Sequence, residues 1–423
     1  MAPRSFRPCV GGTVTPDIAQ CRVDLYEEEL VTKVRRVTSQ LAEAAGVSED
    51  LLPSPTVFRS DRLNFRMRAT FKLWHENDTV YYVMFDKEGY GHDPLEVIEY
   101  PMGSRRICEL MPQVLAHVRQ DSELRAKVDY CSFLTTLNSP DDALIVLTYN
   151  RPIDQSAWGT AARAMADALG GSIKVVGRSK HVKVVIGGEE VTETLHVPGR
   201  GDCVYAQTEG CFTQPNARVC EQMLGWAYAA TQGGGNDGGN GDLCELYCGS
   251  ACFTIALAPN FRRVVATEVS KASVALAAAN LAANQVTNVK VARLSAEEFV
   301  EALGGARRFA RLEEAGLGDL NAPGAYRFTT LLVDPPRAGL DSTCLGLAKR
   351  FDRVVYISCN PETLCRDVQA FSSTHAVTRT ACFDQFPYTP HLECGVVLER
   401  VSTPEKSTAN GITSLHAPRG EAH

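Results

Sequence analysis

No stretch of this 423-residue chain holds the roughly 18 consecutive apolar residues that a membrane-spanning helix requires. An excess of positive charge is also absent, because 43 Lys and Arg residues face 50 Asp and Glu residues, a net charge of −7. No global field therefore draws the protein to nucleic acids or acidic membranes, although a local basic face would suffice to bind RNA. The length suggests two domains, and a hydrophobic content of 44% is enough for two cores.

A secretory signal and the spacings typical of metal sites are missing too. Without a signal peptide, the 15 cysteines are expected to stay reduced in an intracellular compartment. We expect the cytoplasm, with a mitochondrion or plastid as the alternative because residues 1–16 carry Arg4 and Arg7 and no acid. Cys244, Cys248 and Cys252 recur every four residues, whereas metal sites use C-x-x-C pairs. We therefore interpret them as structural thiols and expect no metal.

The first half of the chain mixes helical and strand patterns. Apolar residues at helical spacing predict helices at residues 26–45, 108–119 and 155–169. Short strands separated by turns are predicted at residues 69–75, 79–86, 143–149, 175–176 and 181–186. This pattern predicts an α+β domain with antiparallel hairpins at residues 20–204. Residues 1–19 are expected to form a flexible extension, and residues 402–423 a disordered tail.

Strand and helix patterns alternate through residues 205–401. The predicted strands are residues 244–248, 264–269, 289–294, 329–333, 354–358 and 395–399, and the predicted helices are residues 271–284, 296–303, 342–351 and 362–371. Such alternation predicts an α/β domain with a mainly parallel, doubly wound sheet, whose ligands lie beyond the carboxyl ends of the strands. The glycine-rich run at residues 233–241 precedes the first strand. A phosphate-binding loop would follow that strand, so we interpret the run as a flexible loop.

The most informative segment places a thiol, Cys359, at the end of an apolar strand and directly before a helix start. Asn360 can cap that helix, and its unpaired amides and dipole are expected to favour the thiolate of Cys359. Asp334 ends another apolar strand, and Glu393 comes just before a third. A thiol and two carboxylates at strand ends of one α/β domain indicate an active site.

A tight turn follows the first strand of this domain at Gly249. Glu268 comes after it at about the interval at which an acidic residue reaches a ribose in nucleotide-binding βαβ units. Only one glycine is present where dinucleotide sites use three, so a dinucleotide oxidoreductase is disfavoured. An adenosyl cofactor without phosphates, such as S-adenosylmethionine, fits better. The alternative is that Gly249 only makes the turn and Glu268 is a solvated strand end.

Five motifs occur in the order that is typical of the RNA uracil-C5 methyltransferases. They are FTQPN at residues 212–216, ELYCG at 245–249, VDPPR at 333–337, ISCNPETL at 357–364 and DQFPYT through ECG at 384–395. Within that family the chain resembles the bacterial-type tRNA (uracil-5-)-methyltransferases, which form ribothymidine at position 54 of the T loop. The resemblance runs from about residue 26 to residue 399. One departure is the turn at residues 250–252, where the subgroup's Asn-Gly-Asn reads Ser-Ala-Cys.

The resemblance implies a Rossmann-like, S-adenosylmethionine-dependent methyltransferase domain preceded by an α+β RNA-recognition domain. It implies that Cys359 adds to carbon 6 of uracil, which turns the ring into an enolate whose carbon 5 takes the methyl group. Glu393 then removes the hydrogen from carbon 5, and Asp334 hydrogen-bonds the substrate. The residues expected at the cofactor are Gln214, Tyr247, Gly249, Cys252, Glu268 and Asp334.

Cations of the first half are the candidates for RNA binding. One cluster consists of Arg59, Arg62, Arg66, Arg68 and Lys72. The segment that holds it, residues 59–72, contains a single acid. A second stretch, residues 174–183, contains no acid. The expected partner is the T arm of tRNA, bound by a monomer through phosphate contacts. Two alternatives remain: a methyltransferase that acts on a uridine of ribosomal or other RNA, and a tRNA-binding folding helper whose catalysis is dispensable.

Overall fold

Two large β-sheets organise the protein. The computed structural model describes residues 21–85, 94–233, 241–305, 307, 309–320, 322 and 324–401. The predicted extension (1–19), the predicted tail (402–423) and residues 234–240 of the glycine-rich run lie outside the described residues. Among the described helices, none combines the length and the apolar character needed to cross a bilayer.

The elements of the first half are as follows. The helices are α1 (Tyr26–Ala45), α2 (Arg105–Gln120), α3 (Ser122–Arg125) and α4 (Gln155–Leu169). The strands are β1 (Thr56–Phe58), β2 (Arg68–Glu76), β3 (Thr79–Phe85), β4 (Pro94–Glu96), β5 (Val128–Thr135), β6 (Asp142–Tyr149), β7 (Ser172–Arg178), β8 (Lys183–Ile186), β9 (Glu190–Val197) and β10 (Gly201–Thr208).

The elements of the second half alternate. The helices are α5 (Ala217–Thr231), α6 (Cys252–Leu257), α7 (Lys271–Ala283), α8 (Ala296–Leu303), α9 (Ala310–Glu314), α10 (Ser342–Ala348) and α11 (Pro361–Phe371). The strands are β11 (Asp242–Leu246), β12 (Val264–Thr267), β13 (Val289–Ala292), β14 (Phe328–Val333), β15 (Arg353–Ser358), β16 (His375–Phe383) and β17 (Glu393–Arg400).

The C-terminal sheet has the strand order β1-β16-β17-β15-β14-β11-β12-β13. Neighbours from β13 to β15 are parallel, as the alternation of strands and helices predicted. Strand β17 runs antiparallel between β15 and β16. The residues of β11 and β12 are buried throughout, as expected for a sheet covered on both faces. The carboxyl ends of β11, β12, β14 and β15 therefore share one edge with the amino end of β17.

The N-terminal sheet is built largely from antiparallel hairpins in the order β4-β3-β2-β5-β6-β7-β8. One parallel pair, β6 and β7, is joined by the crossover helix α4. A separate hairpin of β9 and β10 packs against the second half of the chain. There the side-chain oxygens of Asn280 and Asn284 accept hydrogen bonds from the amides of Ala206 and Val204, both at 2.8 Å.

The first helix and strand of the chain pack against the C-terminal sheet. Helix α1 contacts α11 and buries the apolar face that its sequence predicted, including Leu30, Val37 and Leu41. Strand β1 pairs in parallel with β16, with Thr56 opposite Ala381. Strand β1 therefore extends the sheet whose edge carries the predicted catalytic residues, and α1 packs beside it.

Candidate active site

Three neighbouring strands bring the predicted catalytic residues together. Asp334 directly follows β14, Cys359 directly follows β15, and Glu393 is the first residue of β17. In the antiparallel ladder of β15 and β17, Ser358 lies opposite Cys394. The next pair outward is Cys359 and Glu393, so the thiol and the carboxylate are cross-strand neighbours. Asp334 lies on the other side of the thiol, at the end of the parallel neighbour of β15.

Burial raises the pKa values of all three groups, and neighbouring charges add to the shifts of Glu393 and Cys359. The pKa of Glu393 rises to about 8, mainly because the carboxylate is desolvated and also because it faces Asp334. Burial raises the pKa of Asp334 to about 7. The pKa of the Cys359 thiol rises to about 11 through desolvation and the charges of both carboxylates, and the Arg337 guanidinium opposes this shift. The expected preference for the thiolate is therefore wrong for the free protein, because desolvation and the carboxylates outweigh the helix dipole.

The start of α11 ties the thiol loop to the loop that carries Asp334. Asn360 caps the helix as predicted, because its side-chain oxygen accepts a hydrogen bond from the Glu362 amide at 3.2 Å. Its side-chain nitrogen donates to the Arg337 carbonyl at 2.9 Å, and the Thr363 hydroxyl donates to the same oxygen at 3.2 Å. The loops after β14 and β15 thus hold each other in place.

A cavity, called here the inner cavity, opens beside this edge. It encloses about 670 Å³, including space open to solvent. Its wall includes five of the six residues predicted at the cofactor: Gln214, Tyr247, Gly249, Cys252 and Asp334. The side-chain oxygen of Gln214 is buried and has no hydrogen-bond partner among the described residues. A cavity of this size with an unsatisfied polar atom in its wall is suited to a small polar ligand.

Glu268, the sixth predicted cofactor residue, lies at the end of β12, next to the turn after β11. Its two carboxylate oxygens accept hydrogen bonds from the backbone amides of Gly249 at 3.1 Å and Ser270 at 2.7 Å. A carboxylate oxygen has two acceptor positions, so each can still accept a ligand hydroxyl. The carboxylate is thus held in a fixed orientation beside the inner cavity.

The turn after β11 has an unusual backbone. The strand ends at Leu246, two residues earlier than predicted, because Tyr247 takes a φ of 63°. Gly249 and Ala251 also have positive φ, at 55° and 69°. Non-glycine residues in this left-handed region cost roughly 1–2 kcal/mol each. The backbone strain is therefore concentrated at the wall of the inner cavity, where strained residues often serve function.

Cys252 occupies the position where the related subgroup has its cofactor-binding asparagine. It is the first residue of α6 and lines the inner cavity together with Cys220. The two sulfur atoms are 3.9 Å apart. Tyr205 donates a hydrogen bond to the Cys252 carbonyl at 2.9 Å. The other two cysteines of the four-residue series, Cys244 and Cys248, are buried.

A second and wider cavity, called here the wide cleft, is lined by residues of the N-terminal sheet and of the loop before β17. It encloses about 2130 Å³, including open solvent. Arg66 and Arg68 line one side of it, and the loop from Phe386 to His391 lines the other. Burial and the neighbouring charge of Arg66 lower the pKa of Arg68. Phe212 and Thr213 border both cavities.

Six of the remaining predicted RNA-binding cations are paired with acids. Arg59 and Arg62 both reach Glu27, at 3.2 and 3.6 Å. The other pairs are Lys72 with Asp129, Lys174 with Asp142, Arg178 with Glu209 and Lys183 with Glu189. Residues 174–183 contain no acid themselves, but the fold brings acids to three of their cations. This stretch is therefore not a free positive face.

Three residues at the site were not assigned a role from the sequence. Glu245 lines the inner cavity from within β11, and burial raises its pKa to about 8. Phe212 is 65% exposed between the two cavities. Arg337 is close enough for its charge to lower the pKa values of Cys359 and Glu393. The sequence contained a signal for each: Glu245 is a carboxylate inside an apolar strand, and Phe212 and Arg337 lie inside the motifs of the family resemblance.

The fold is similar to that of a solved structure. The crystal structure of Pyrococcus abyssi tRNA (uracil-54, C5)-methyltransferase in complex with S-adenosyl-L-homocysteine superposes with a TM-score of 0.64. The match covers 92% of this chain and 87% of that chain, at 18% sequence identity. At this level of identity the likeness shows a shared mixed α/β fold.

Sequence comparison gives a narrower assignment. The family model for tRNA (Uracil-5-)-methyltransferase matches residues 25–401. The tRNA/tmRNA (uracil-C(5))-methyltransferase of Cellvibrio japonicus is 47% identical over 375 residues, which is 89% of this chain and 96% of that protein. The enzyme of the same description from Ectopseudomonas mendocina is 48% identical, over 89% of this chain and 97% of that protein. The chain therefore belongs to the tRNA (uracil-5-)-methyltransferase family.

Proposed function

We propose that this protein transfers a methyl group from S-adenosylmethionine to carbon 5 of uridine 54 in the T loop of tRNA, through a covalent bond between Cys359 and carbon 6. The bacterial relatives are described as acting on tmRNA as well, and we include a tmRNA T arm in the substrate class. The observation that carries the proposal is the placement of Cys359 at a sheet edge between two carboxylates, Glu393 and Asp334, the second of which lines the inner cavity.

The inner cavity fits the cofactor. Gln214 offers a buried oxygen without a partner among the described residues, and Glu268 offers a carboxylate fixed by two amides. We assign Glu268 to the ribose hydroxyls, and Gln214, Tyr247 and Gly249 to the rest of the cofactor. When bound, S-adenosylmethionine supplies an electrophilic methyl group on a sulfonium.

Cys359 begins the reaction as the nucleophile. Its thiol loses a proton, and the Arg337 guanidinium favours the resulting thiolate. The sulfur then bonds to carbon 6 of the uracil, and the electron pair of the 5,6 double bond moves into an enolate. Asp334, with a pKa of about 7, still holds a proton in part of the molecules at neutral pH. It can donate that proton in a hydrogen bond to the enolate oxygen.

Glu393 completes the reaction as the general base. Once carbon 5 carries the methyl group, its hydrogen must leave before the sulfur can be eliminated. Glu393 lies next to Cys359 across the β15–β17 ladder, within reach of the same ring. A carboxylate with a pKa of about 8 is a stronger base than an ordinary glutamate. It takes the proton, the double bond re-forms, and the Cys359 thiolate departs.

The wide cleft is the proposed RNA site. A T-loop uridine must leave its stack to reach the catalytic edge. Arg66 and Arg68 face the cleft, so they are the predicted cations that we assign to phosphate contacts. The ion pairs of Arg59 and Lys72 make these two weaker candidates. Phe212, exposed between the cavities, is placed to stack on an unstacked base.

The test uses purified protein, labelled S-adenosylmethionine and unmodified tRNA, with the product mapped to a nucleotide. We expect 5-methyluridine at position 54. Cys359→Ala should abolish the product, and Cys365→Ala is the matched control because this thiol lies within α11 and packs against the core. If only ribosomal RNA is methylated, the assignment of tRNA as the substrate is wrong and ribosomal RNA takes its place. Loss of methylation by Cys359→Ala with full rescue of a cellular defect would favour the folding helper.

A further inference from the structure

Lys33 is a lysine of helix α1 that is only 6% exposed. Its ammonium donates to a side-chain oxygen of Asp384 at 2.5 Å and to the carbonyls of Phe386 and His391, both at 3.3 Å. Asp384 is 1% exposed. A lysine ammonium has three donors, and all three have an acceptor here.

All three acceptors belong to one loop. Residues 384–392 connect β16 to β17, and the first residue after this loop is Glu393. Asp384 is the first residue of the loop, and His391 lies two residues before the proposed base. The ammonium therefore binds the loop at its beginning and near its end. The Phe386–His391 part of this loop is also the wall of the wide cleft.

The energetics indicate that the ion pair of Lys33 and Asp384 orients the loop and is not needed to stabilise the fold. Taking a lysine and an aspartate out of water costs several kcal/mol per ion, and packed apolar residues of similar volume are often as stable or more stable. An apolar pair would fill the space between α1 and the loop equally well. It would not direct the two loop carbonyls, because only a donor with several hydrogens fixes their orientation.

We propose that Lys33 is a positioning residue for the reaction: it holds the 384–392 loop so that Glu393 reaches the hydrogen on carbon 5. The proposal rests on the proposed function, in which Glu393 is the base that releases the product. Lys33 acts through the loop and touches neither Glu393 nor the substrate. Its loss should therefore impair the last step of the reaction more than the first.

The experiment compares Lys33→Met with wild-type protein and with Arg35→Met. Arg35 is exposed on the same helix, so the control removes a cation from α1 without touching the loop. A displacement of about 1 Å can reduce a rate by about 100-fold. We expect kcat of Lys33→Met to fall at least tenfold and KM to fall with it, because slow release leaves the steps up to methyl transfer, and therefore kcat/KM, unchanged. A denaturant-stable protein–RNA adduct should accumulate during turnover, because addition to carbon 6 proceeds while release is slow.

A second variant covers the case in which Lys33→Met leaves Asp384 as a destabilising buried charge. Lys33→Met combined with Asp384→Leu has no buried charge at this place and should fold. We expect the double variant to show the same accumulation of adduct. Wild-type kcat in either folded variant would overturn the proposal. Slow turnover without adduct in a folded variant would also overturn it, because that result indicates a general loss of structure at the site.

The Glu393→Gln variant separates this inference from the proposed function. If Glu393→Gln traps the adduct while the Lys33 variants behave like wild type, only the role of Lys33 is lost. If Glu393→Gln turns over at the wild-type rate, the assigned base is wrong and the role of Lys33 falls with it, while the methyl transfer to carbon 5 stands.

Discussion

Two carboxylates at the same edge of the C-terminal sheet have opposite surroundings. Glu268, at the end of β12, accepts hydrogen bonds from two backbone amides and lies beside the inner cavity. Glu393, at the start of β17, is buried, and no described residue donates a hydrogen bond to it. Its pKa rises to about 8 because burial and the neighbouring Asp334 disfavour its charge.

This difference separates binding from proton transfer. A carboxylate that orients a ligand works best when fixed donors already hold it, as the amides hold Glu268. A carboxylate that must take a proton near neutral pH works best when its charged form is poorly solvated, as at Glu393. In the sequence, both residues are glutamates near a strand end. The hydrogen-bond donors around each carboxylate distinguish the two roles.

The largest expected effect is that of Glu393→Gln. The variant should still form the bond between Cys359 and carbon 6, but it cannot remove the hydrogen from carbon 5. We expect turnover to fall by about 100-fold or more, in the range typical of a lost general base, and the protein–RNA adduct to accumulate. Denaturing gels measure the adduct. Glu399→Gln is the matched control, since Glu399 lies on the same strand and forms an ion pair near the surface with Arg353.

Glu268→Gln should weaken cofactor binding and leave the release step intact. Hydrogen bonds to a charged acceptor are about 1 kcal/mol stronger than bonds to a neutral one, and more than one bond is affected. We therefore expect the dissociation constant for S-adenosylhomocysteine to rise about tenfold, as measured by calorimetry. Glu393→Gln, the same change at the other carboxylate, should keep its cofactor affinity. Equal losses of affinity in both variants would remove the distinction between the two sites.

The pH dependence of turnover gives a further test. Both Cys359 and Glu393 act in their deprotonated forms, and the pKa values of both are raised, to about 11 and about 8. Asp334, which acts in its protonated form, loses its proton in the same range and reduces the gain. Because two deprotonations favour activity and one opposes it, we expect turnover to rise by about tenfold or more between pH 6 and pH 8. A rate that is flat or decreasing over this range would contradict the assignment of Glu393 as the base.

The same raised pKa has a consequence for stability. The contribution of neutral Glu393 to stability is present below its unfolded pKa of 4.5 and is lost as pH rises through about 8. Glu393→Gln stays neutral throughout, so its melting temperature should exceed that of wild type at pH 9 and approach it at pH 5. If the melting temperatures of the variant and the wild type differ by the same amount at pH 5 and pH 9, the Glu393 carboxylate is well solvated.

The smallest expected effect is at the turn beside Glu268. Ala251 has a φ of 69°, where glycine has no steric penalty. Ala251→Gly should increase the free energy of unfolding by about 0.5–1 kcal/mol, after the greater freedom of glycine in the unfolded chain is subtracted. Urea titration measures the free energy of unfolding. The matched change Ala256→Gly, inside α6, should destabilise the protein, so a loss of stability in both variants would argue against strain at residue 251.

Much of the fold followed from local patterns. The predicted bounds of α1, α4 and α8 are confirmed, because each has a clear apolar face and a distinct end. The mainly parallel sheet followed from alternation, and the grouping of Asp334, Cys359 and Glu393 followed from the rule that ligands lie at strand ends. The predicted limits of the two domains stay predictions.

What failed depended on contacts that are distant in sequence. Strands β1, β4, β5, β9, β10 and β16 were not predicted. Strand β9 alternates buried residues with Glu, Thr and His, so polar side chains masked its apolar face. The acids that neutralise residues 174–183 lie outside that stretch, in β6 and in loops. The pKa of Cys359 was expected to fall because the helix start is local. Desolvation raises it instead, together with carboxylates that come from other strands.

The most direct test of the covalent mechanism uses a T-arm RNA with 5-fluorouridine at position 54. Fluorine on carbon 5 cannot be removed as a proton, so the reaction should stop after methyl transfer with the sulfur still bonded to carbon 6. Wild-type protein is incubated with this RNA and S-adenosylmethionine, digested, and mapped by mass spectrometry. We predict a single linked peptide that contains Cys359 and carries a methylated fluorouridine. Linkage through another cysteine, or methylation of normal RNA with no linked peptide, would contradict the mechanism.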